Sequence, residues 1–173
     1  LSLGFRGEAL ASIGMVSRLQ ISSKPAGEAG ACIVMEDGVK SAIQPMGMGD
    51  GTLITVEHLF RNTPARLAFQ RRPETETARI VDVVVDHALA HPGCAFHLRT
   101  EQRTLLNVPA TDNMLDRLYD IMGAQATELV PLQQPPVDDD APGAERWSGW
   151  ISTPDITRGK GDDIHILINN RPV

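Results

Sequence analysis

Ten residues near the start of the chain have the types and spacing that suit anion chemistry: Gly4-Phe5-Arg6-Gly7-Glu8-Ala9-Leu10-Ala11-Ser12-Ile13. Gly4 and Gly7 permit backbone conformations and close approaches that a β-carbon forbids. Glu8, Ala9, Leu10 and Ala11 are strong helix formers. A helix opening at about Gly7 or Glu8 aims its free N–H groups and the positive end of its dipole at the preceding loop, which suits a phosphate. Arg6 adds a planar, permanently charged donor. The stretch is not a Walker loop, because no Gly-Lys-Ser/Thr follows, and it lacks the strand and third glycine of a dinucleotide fingerprint. Pattern alone leaves two readings open, a phosphate-binding loop or a glycine-containing turn capping an ordinary helix.

Other chemistry-bearing residues carry less. Cys32 and Cys94 are far apart and lack metal-ligand spacing, so both read as buried thiols in a reducing compartment, with a bridge between them possible in principle. His58, His87, His91, His97 and His165 form no ligand motif. Gly47-Met48-Gly49-Asp50-Gly51 reads as a mobile connection between strands. Arg61, Arg66, Arg71 and Arg72 make the most basic stretch, and a solvated helix end accounts for them better than a DNA patch. The net charge of −6 argues against a generic nucleic-acid binder, though a local patch can still hold DNA. Arginine supplies 13 of the 16 basic residues, a bias that salt adaptation and a high-GC genome explain equally well.

The elements that must position these residues follow from periodicity. A helix is predicted from about Glu8 to Val16, packing through Leu10, Ile13 and Val16. Strands are predicted at 19–23, 31–36, 39–44 and 52–57, with Asp37-Gly38 as a hairpin turn. Thr63 and Pro64 read as cap and first residue of a second helix, with Leu67, Ala68 and Phe69 buried. The longest helix spans 74–91, its apolar face wide enough to lie against a sheet, and Pro92-Gly93 stops it. A hairpin (95–99, 104–108), a helix at 114–122 and strands at 127–132, 146–152 and 164–168 complete the series, with an exposed Pro/Asp-rich loop at 133–145. On the 114–122 helix, Met114, Leu115, Leu118, Tyr119 and Met122 share one side. The composition, 42% apolar and 22% charged, is that of a globular protein, and no run reaches the roughly 18 apolar residues of a membrane span. The chain begins at Leu1 within three residues of a motif and stops just after a strand-like run, so both ends read as cut.

Taken together, the motifs resemble the MutL family of DNA mismatch-repair ATPases. Ser2 to Ile13 is similar to that family's signature. Gly51-Thr52, then Leu59-Phe60-Arg61-Asn62-Thr63-Pro64-Ala65-Arg66-Leu67-Ala68-Phe69, resemble its Gly-Thr strand and its Leu-Phe-x-Asn-x-Pro-Ala-Arg-x-x-Phe run. Gly149-Trp150, then Ile166-Leu167-Ile168-Asn169-Asn170-Arg171, resemble its Gly-Trp strand and the apolar strand ending in Asn-Gly-Arg. Asn170 stands where the family has glycine; the turn survives that change, while the groove beside it can differ in shape.

The resemblance implies an α+β fold: part of a GHKL (Bergerat-type) mixed sheet with helices on one face over residues 1–110, then the start of a ribosomal-protein S5-like domain over 111–173. It implies that Gly4, Phe5, Arg6, Gly7 and Glu8 belong to the lid and helix start that wrap the triphosphate of ATP. It implies that Thr52 helps hold the adenine and that Arg171 lies near a DNA-binding groove. The family's catalytic glutamate, its Mg²⁺-holding asparagine and its adenine-reading Asp-x-Gly-x-Gly loop lie upstream of the lid motif, and its terminal-phosphate lysine lies further on. None of these is in the chain, which is therefore expected to be inactive alone. The resemblance further implies an ATPase whose ordered lids bring two N-terminal domains together as a homodimer, with DNA, a MutS-type mismatch-recognition protein and downstream repair factors as partners. It implies no membrane association and, in a prokaryote, a cytoplasmic, nucleoid-associated place. Two alternatives stay open: another GHKL ATPase such as a type II topoisomerase subunit, which leaves the Asn-Thr-Pro-Ala-Arg run unexplained, and an S5-like nucleic-acid-binding module without nucleotide chemistry.

Overall fold

The computed structural model describes residues 7–132, 134, 146–156 and 164–173. The chain forms two compact units, Leu1–Pro73 and Glu74–Val173.

The first unit is a short helix on an antiparallel sheet. Helix α1 (Ala9–Met15) leads into β1 (Arg18–Lys24), followed by β2 (Ala31–Glu36), β3 (Val39–Lys40), β4 (Gln44–Pro45), β5 (Gly51–Glu57) and helix α2 (Pro64–Ala68). The strand order is β3-β2-β1-β5, with β4 also on β2. In register, Leu19 faces Met35 and Val56, Ile21 faces Ile33 and Ile54, and Ser23 faces Ala31 and Thr52. Side chains alternate across a strand, so these residues share one face. Helix α1 packs on that face, where a β-carbon added at Gly14 would come within 2.5 Å of the Met35 sulfur. The α1 core is therefore Gly14, with Ile13 and Val16 half-buried; Leu10, expected to pack, is exposed.

Asp37 (φ 48°) and Gly38 (φ 84°) make the expected hairpin turn. The strand expected at 39–44 is instead split into β3 and β4. Ser41 causes the break: its hydroxyl accepts from Val34 N at 3.0 Å and donates to Ala42 O, so a side chain does the work of the ladder. Helix α2 starts at Pro64 as expected, but Thr63 supplies no side-chain cap. Its hydroxyl turns back to Phe60 O at 3.4 Å. Leu67 and Phe69, expected in the core, are exposed, because a five-residue helix presents no complete face.

The second unit holds α3 (Pro73–Ala90), the hairpin β6 (Phe96–Arg99) and β7 (Thr104–Val108), α4 (Met114–Met122), a 3-10 turn (Gly123–Glu128), the pair β8 (Leu129–Leu132) and β9 (Gly149–Ser152), and the hairpin β10 (Leu167–Ile168) and β11 (Arg171–Pro172). Its core is Leu89, Leu118 and Ala126, lined by Val85, Ile121, Met122 and Trp150. Helix α3, expected to lay a wide apolar face against a sheet, is buried only at its last turn, Ala88 to Ala90, while Ile80 and Val83 are exposed. Helix α4 has the expected ends but a rotated face: Leu115 and Tyr119 are exposed, and Arg117 is buried with Leu118. The strand expected at 127–132 starts at Leu129, because Thr127 and Glu128 belong to the 3-10 turn. Every strand pairing among the described residues is antiparallel, within the expected α+β class. The loop at 133–145 lies almost wholly outside the described residues.

Candidate functional site

The opening motif is described from Gly7 onward; Gly4, Phe5 and Arg6 lie outside the described residues. Gly7 has φ 67°, a left-handed conformation that glycine adopts freely. Glu8 is the N-cap residue, at φ −97° and ψ −15°, and makes no side-chain cap bond. The first turn of α1 holds no acidic residue. Glu8 to Ser12 are all exposed. Among the described residues no side chain caps the N-terminal end of α1; its free N–H groups and dipole suit an anion, while the exposed Glu8 carboxylate opposes one.

The other end is the opposite. Ile13 O accepts from the Ser17 hydroxyl at 2.7 Å and Gly14 O from Gly38 N at 3.2 Å. Met15 O accepts from the Asn62 side-chain amide at 2.8 Å, and Val16 O from Phe60 N at 2.6 Å. The run Leu59 to Asn62 thus holds α1. Its backbone is bent to do so: His58 and Phe60 sit at φ 54° and 64°, a region that costs a bulky residue about 1–2 kcal/mol. Arg61 donates to Asp37 at 2.8 Å and Glu36 at 2.9 Å. Those bonds, Asp37 first, and the carboxylate charges hold its pKa above the ordinary value. A raised basic pKa stabilises below the unfolded value and fades only as pH climbs through the folded one, so this link is complete at neutral pH. Arg66 stacks 6.0 Å from the Phe60 ring. The basic stretch is thus in part a fastening for the loop.

Thr52, the second residue of β5, pairs its hydroxyl with that of Ser23 at 2.8 Å. By register its side chain is on the sheet face that carries α1. The structure brings Thr52 and the α1 motif into one unit; their hydrogen-bond partners do not overlap. Arg171 belongs to the other unit, exposed on β11 beside the tight turn Asn169-Asn170 (φ 52° and 60°). Two consecutive left-handed residues are what a two-residue hairpin requires, and asparagine tolerates both.

Among the described residues no group of three or more His, Cys, Asp or Glu is placed to hold a metal. Both cysteines are free; Cys94 is exposed, against the buried thiol expected, because the turn after Pro92 leaves its side chain outside the core. No helix among the described residues is long and apolar enough to cross a membrane.

Periodicity missed two residues. Asn62 sits inside a recognised run, yet nothing in its spacing tells that its amide reaches Met15. Arg117 is fully buried, with Nη2 at 2.7–2.8 Å from the carbonyl oxygens of Pro92, Cys94 and Pro109 and the guanidinium 5.9 Å from the Phe96 ring. A charged residue between Asp116 and Leu118 carries no sequence signal of burial.

Comparison with solved structures finds the same fold. A MutL ATPase domain from Aquifex aeolicus complexed with ADP is 25% identical, with a TM-score of 0.72 over 96% of this chain and 62% of that one. The N-terminal domain of a DNA repair protein superposes with a TM-score of 0.78 at 23% identity, covering 99% of this chain and 56% of that one. The fold, with its glycine-opened helix on an antiparallel sheet, is that of the GHKL class of ATPase domains. A scan against protein-family models finds no match. Among curated proteins, the DNA mismatch repair protein MutL of Acidobacterium capsulatum is 36% identical over 99% of this chain, and that of Halalkalibacterium halodurans 38% over 98%. This chain belongs to the MutL family. It spans 29% and 26% of the length of those two relatives.

Proposed function

We propose that this chain is part of a mismatch-repair ATPase of MutL type, and that its opening motif closes over the phosphates of ATP. The observation that carries the proposal is the match to MutL proteins over nearly the whole chain, joined to the likeness to a MutL ATPase domain complexed with ADP. Gly4, Phe5, Arg6, Gly7 and Glu8 form the lid and helix start, and the open end of α1 offers the backbone donors. Thr52 helps hold the adenine from the sheet face beneath α1. Arg171, presented by its tight hairpin, contacts the DNA backbone. Residues 1–110 belong to the ATPase module and 111–173 open the S5-like one, a division by module rather than by compactness.

ATP binding and hydrolysis in the whole protein drive N-terminal dimerisation, DNA contact and recruitment of a MutS-type partner. The general-base and Mg²⁺ roles fall to residues other than those described here, so no step is assigned to them. The ADP-bound neighbour favours this reading over a nucleic-acid module without nucleotide chemistry. Titrating a non-hydrolysable ATP analogue into the native-length protein and its Arg6→Ala variant tests the proposal. An arginine–phosphate bond of a charge-assisted kind is worth about tenfold or more in affinity. Equal affinity for both proteins would remove the opening motif from the nucleotide site.

A further inference from the structure

We infer that Asn62 is a positioning residue for nucleotide closure: it fixes the far end of α1 so that Gly7 and Glu8 are presented in one place. The inference rests on the phosphate reading of α1 above.

Helix α1 has seven residues, too few to hold its own shape in water. It is held by its C-terminal end, where four consecutive carbonyls, Ile13 to Val16, each meet a donor from outside the helix. Ser17 is a local donor, and Gly38 and Phe60 give backbone N–H groups. Asn62 alone among these four reaches α1 with a side chain from a distant segment, 47 residues on. Its loop is itself tied down. Arg61 grips the β2–β3 turn through Glu36 and Asp37, and Gly38 of that turn donates to Gly14 O. The loop, the turn and the helix end therefore form a closed ring of hydrogen bonds within one unit. Met15 O is an acceptor, so the requirement is for a side chain that donates and not merely for a polar one. Aspartate has the same shape but would set a carboxylate against that carbonyl.

A helix anchored at one end and open at the other delivers its first turn to a ligand without an ordering cost at binding. Loss of the anchor lets α1 fray from its fixed end, and the ligand must then order the helix again.

The test uses the native-length protein with Asn62→Asp, Asn62→Ala, Asn62→Gln and, in parallel, Arg6→Ala. Amide hydrogen exchange is measured without nucleotide, and affinity with a non-hydrolysable ATP analogue. In N62D and N62A we expect exchange across 9–15 to quicken by roughly tenfold and affinity to fall by a similar factor, the loss of one hydrogen bond, while β1, β2 and β5 exchange as before. N62Q should restore both, since Asn62 is exposed and its site has room for a longer amide. A purely structural role would quicken exchange without moving affinity while the sheet stays intact. Unchanged exchange across α1 in N62D and N62A overturns the inference. Faster exchange with unchanged affinity, while Arg6→Ala still weakens binding, overturns the positioning role and leaves the phosphate reading standing. If Arg6→Ala also binds normally, the phosphate reading falls and this inference with it.

Discussion

Asn169 and Asn170 hold Arg171 at the edge of a two-residue turn, where its side chain is exposed. If it contacts a DNA phosphate, Arg171→Glu should weaken binding about equally for all sequences and reduce the dependence of log affinity on log salt by about one ion or more. Fluorescence anisotropy over a salt series measures this, and an unchanged slope would make Arg171 a turn residue only. Arg117 belongs to the same scale but not to the surface. Its Nη2 serves three carbonyls, while Nε and Nη1 are buried without a partner among the described residues. Arg117→Ala strands those carbonyls, at about 1–3 kcal/mol for each that no water satisfies, a loss read by denaturant unfolding. The turn at Asn169-Asn170 is legible in sequence because it depends on two adjacent residue types. The burial of Arg117 is not, because it depends on carbonyls from three separated segments meeting at one point.

Helix α1 shows what an element adds. Its existence follows from Glu8 to Ala11, but its packing does not follow from apolar periodicity, since the residue that touches the sheet is Gly14. A Gly14→Ala change would put a methyl 2.5 Å from the Met35 sulfur, and overpacking of about 1–3 kcal/mol, offset by the roughly 1 kcal/mol that alanine gains in a helix, should leave the melting temperature level or lower. A melting temperature raised by the full helix-propensity gain would mean that α1 does not press on β2. Helix α4 repeats the lesson. Its predicted span, 114–122, holds, with Asn113 accepting from Leu115 N at 3.0 Å as its N-cap, yet its buried face is rotated toward Arg117. The period of a helix gives the existence of a stripe, whereas the neighbour that meets it decides which stripe is buried. Strand β5 was legible end to end, because Thr52 to Glu57 alternates β-formers without interruption.

On the scale of the whole molecule, the two compact units divide after Pro73, whereas the proposed module boundary falls at residue 110. Unit two begins at Glu74, so the end of α3 shares a core with α4, β8 and β9. The boundary at residue 110 that the resemblance implies concerns a change of module and is blind to which neighbour a helix packs on. The motifs that carried the family were legible because they are runs of particular residues. Their shared purpose at the end of α1 was not, because Gly14, Gly38, Phe60 and Asn62 meet only in three dimensions. The 173-residue chain by itself should show no Mg²⁺-dependent ATP turnover, since the general base and the Mg²⁺-holding asparagine that the resemblance implies have no counterpart in its sequence; measurable phosphate release would contradict that assignment. The most direct test of the central claim is amide exchange of the native-length protein with and without a non-hydrolysable ATP analogue. The account predicts slowed exchange over Arg6 to Met15 on binding, while the Arg171 hairpin is unaffected. Exchange over Arg6 to Met15 that ignores a saturating analogue would show that the opening motif does not close over nucleotide.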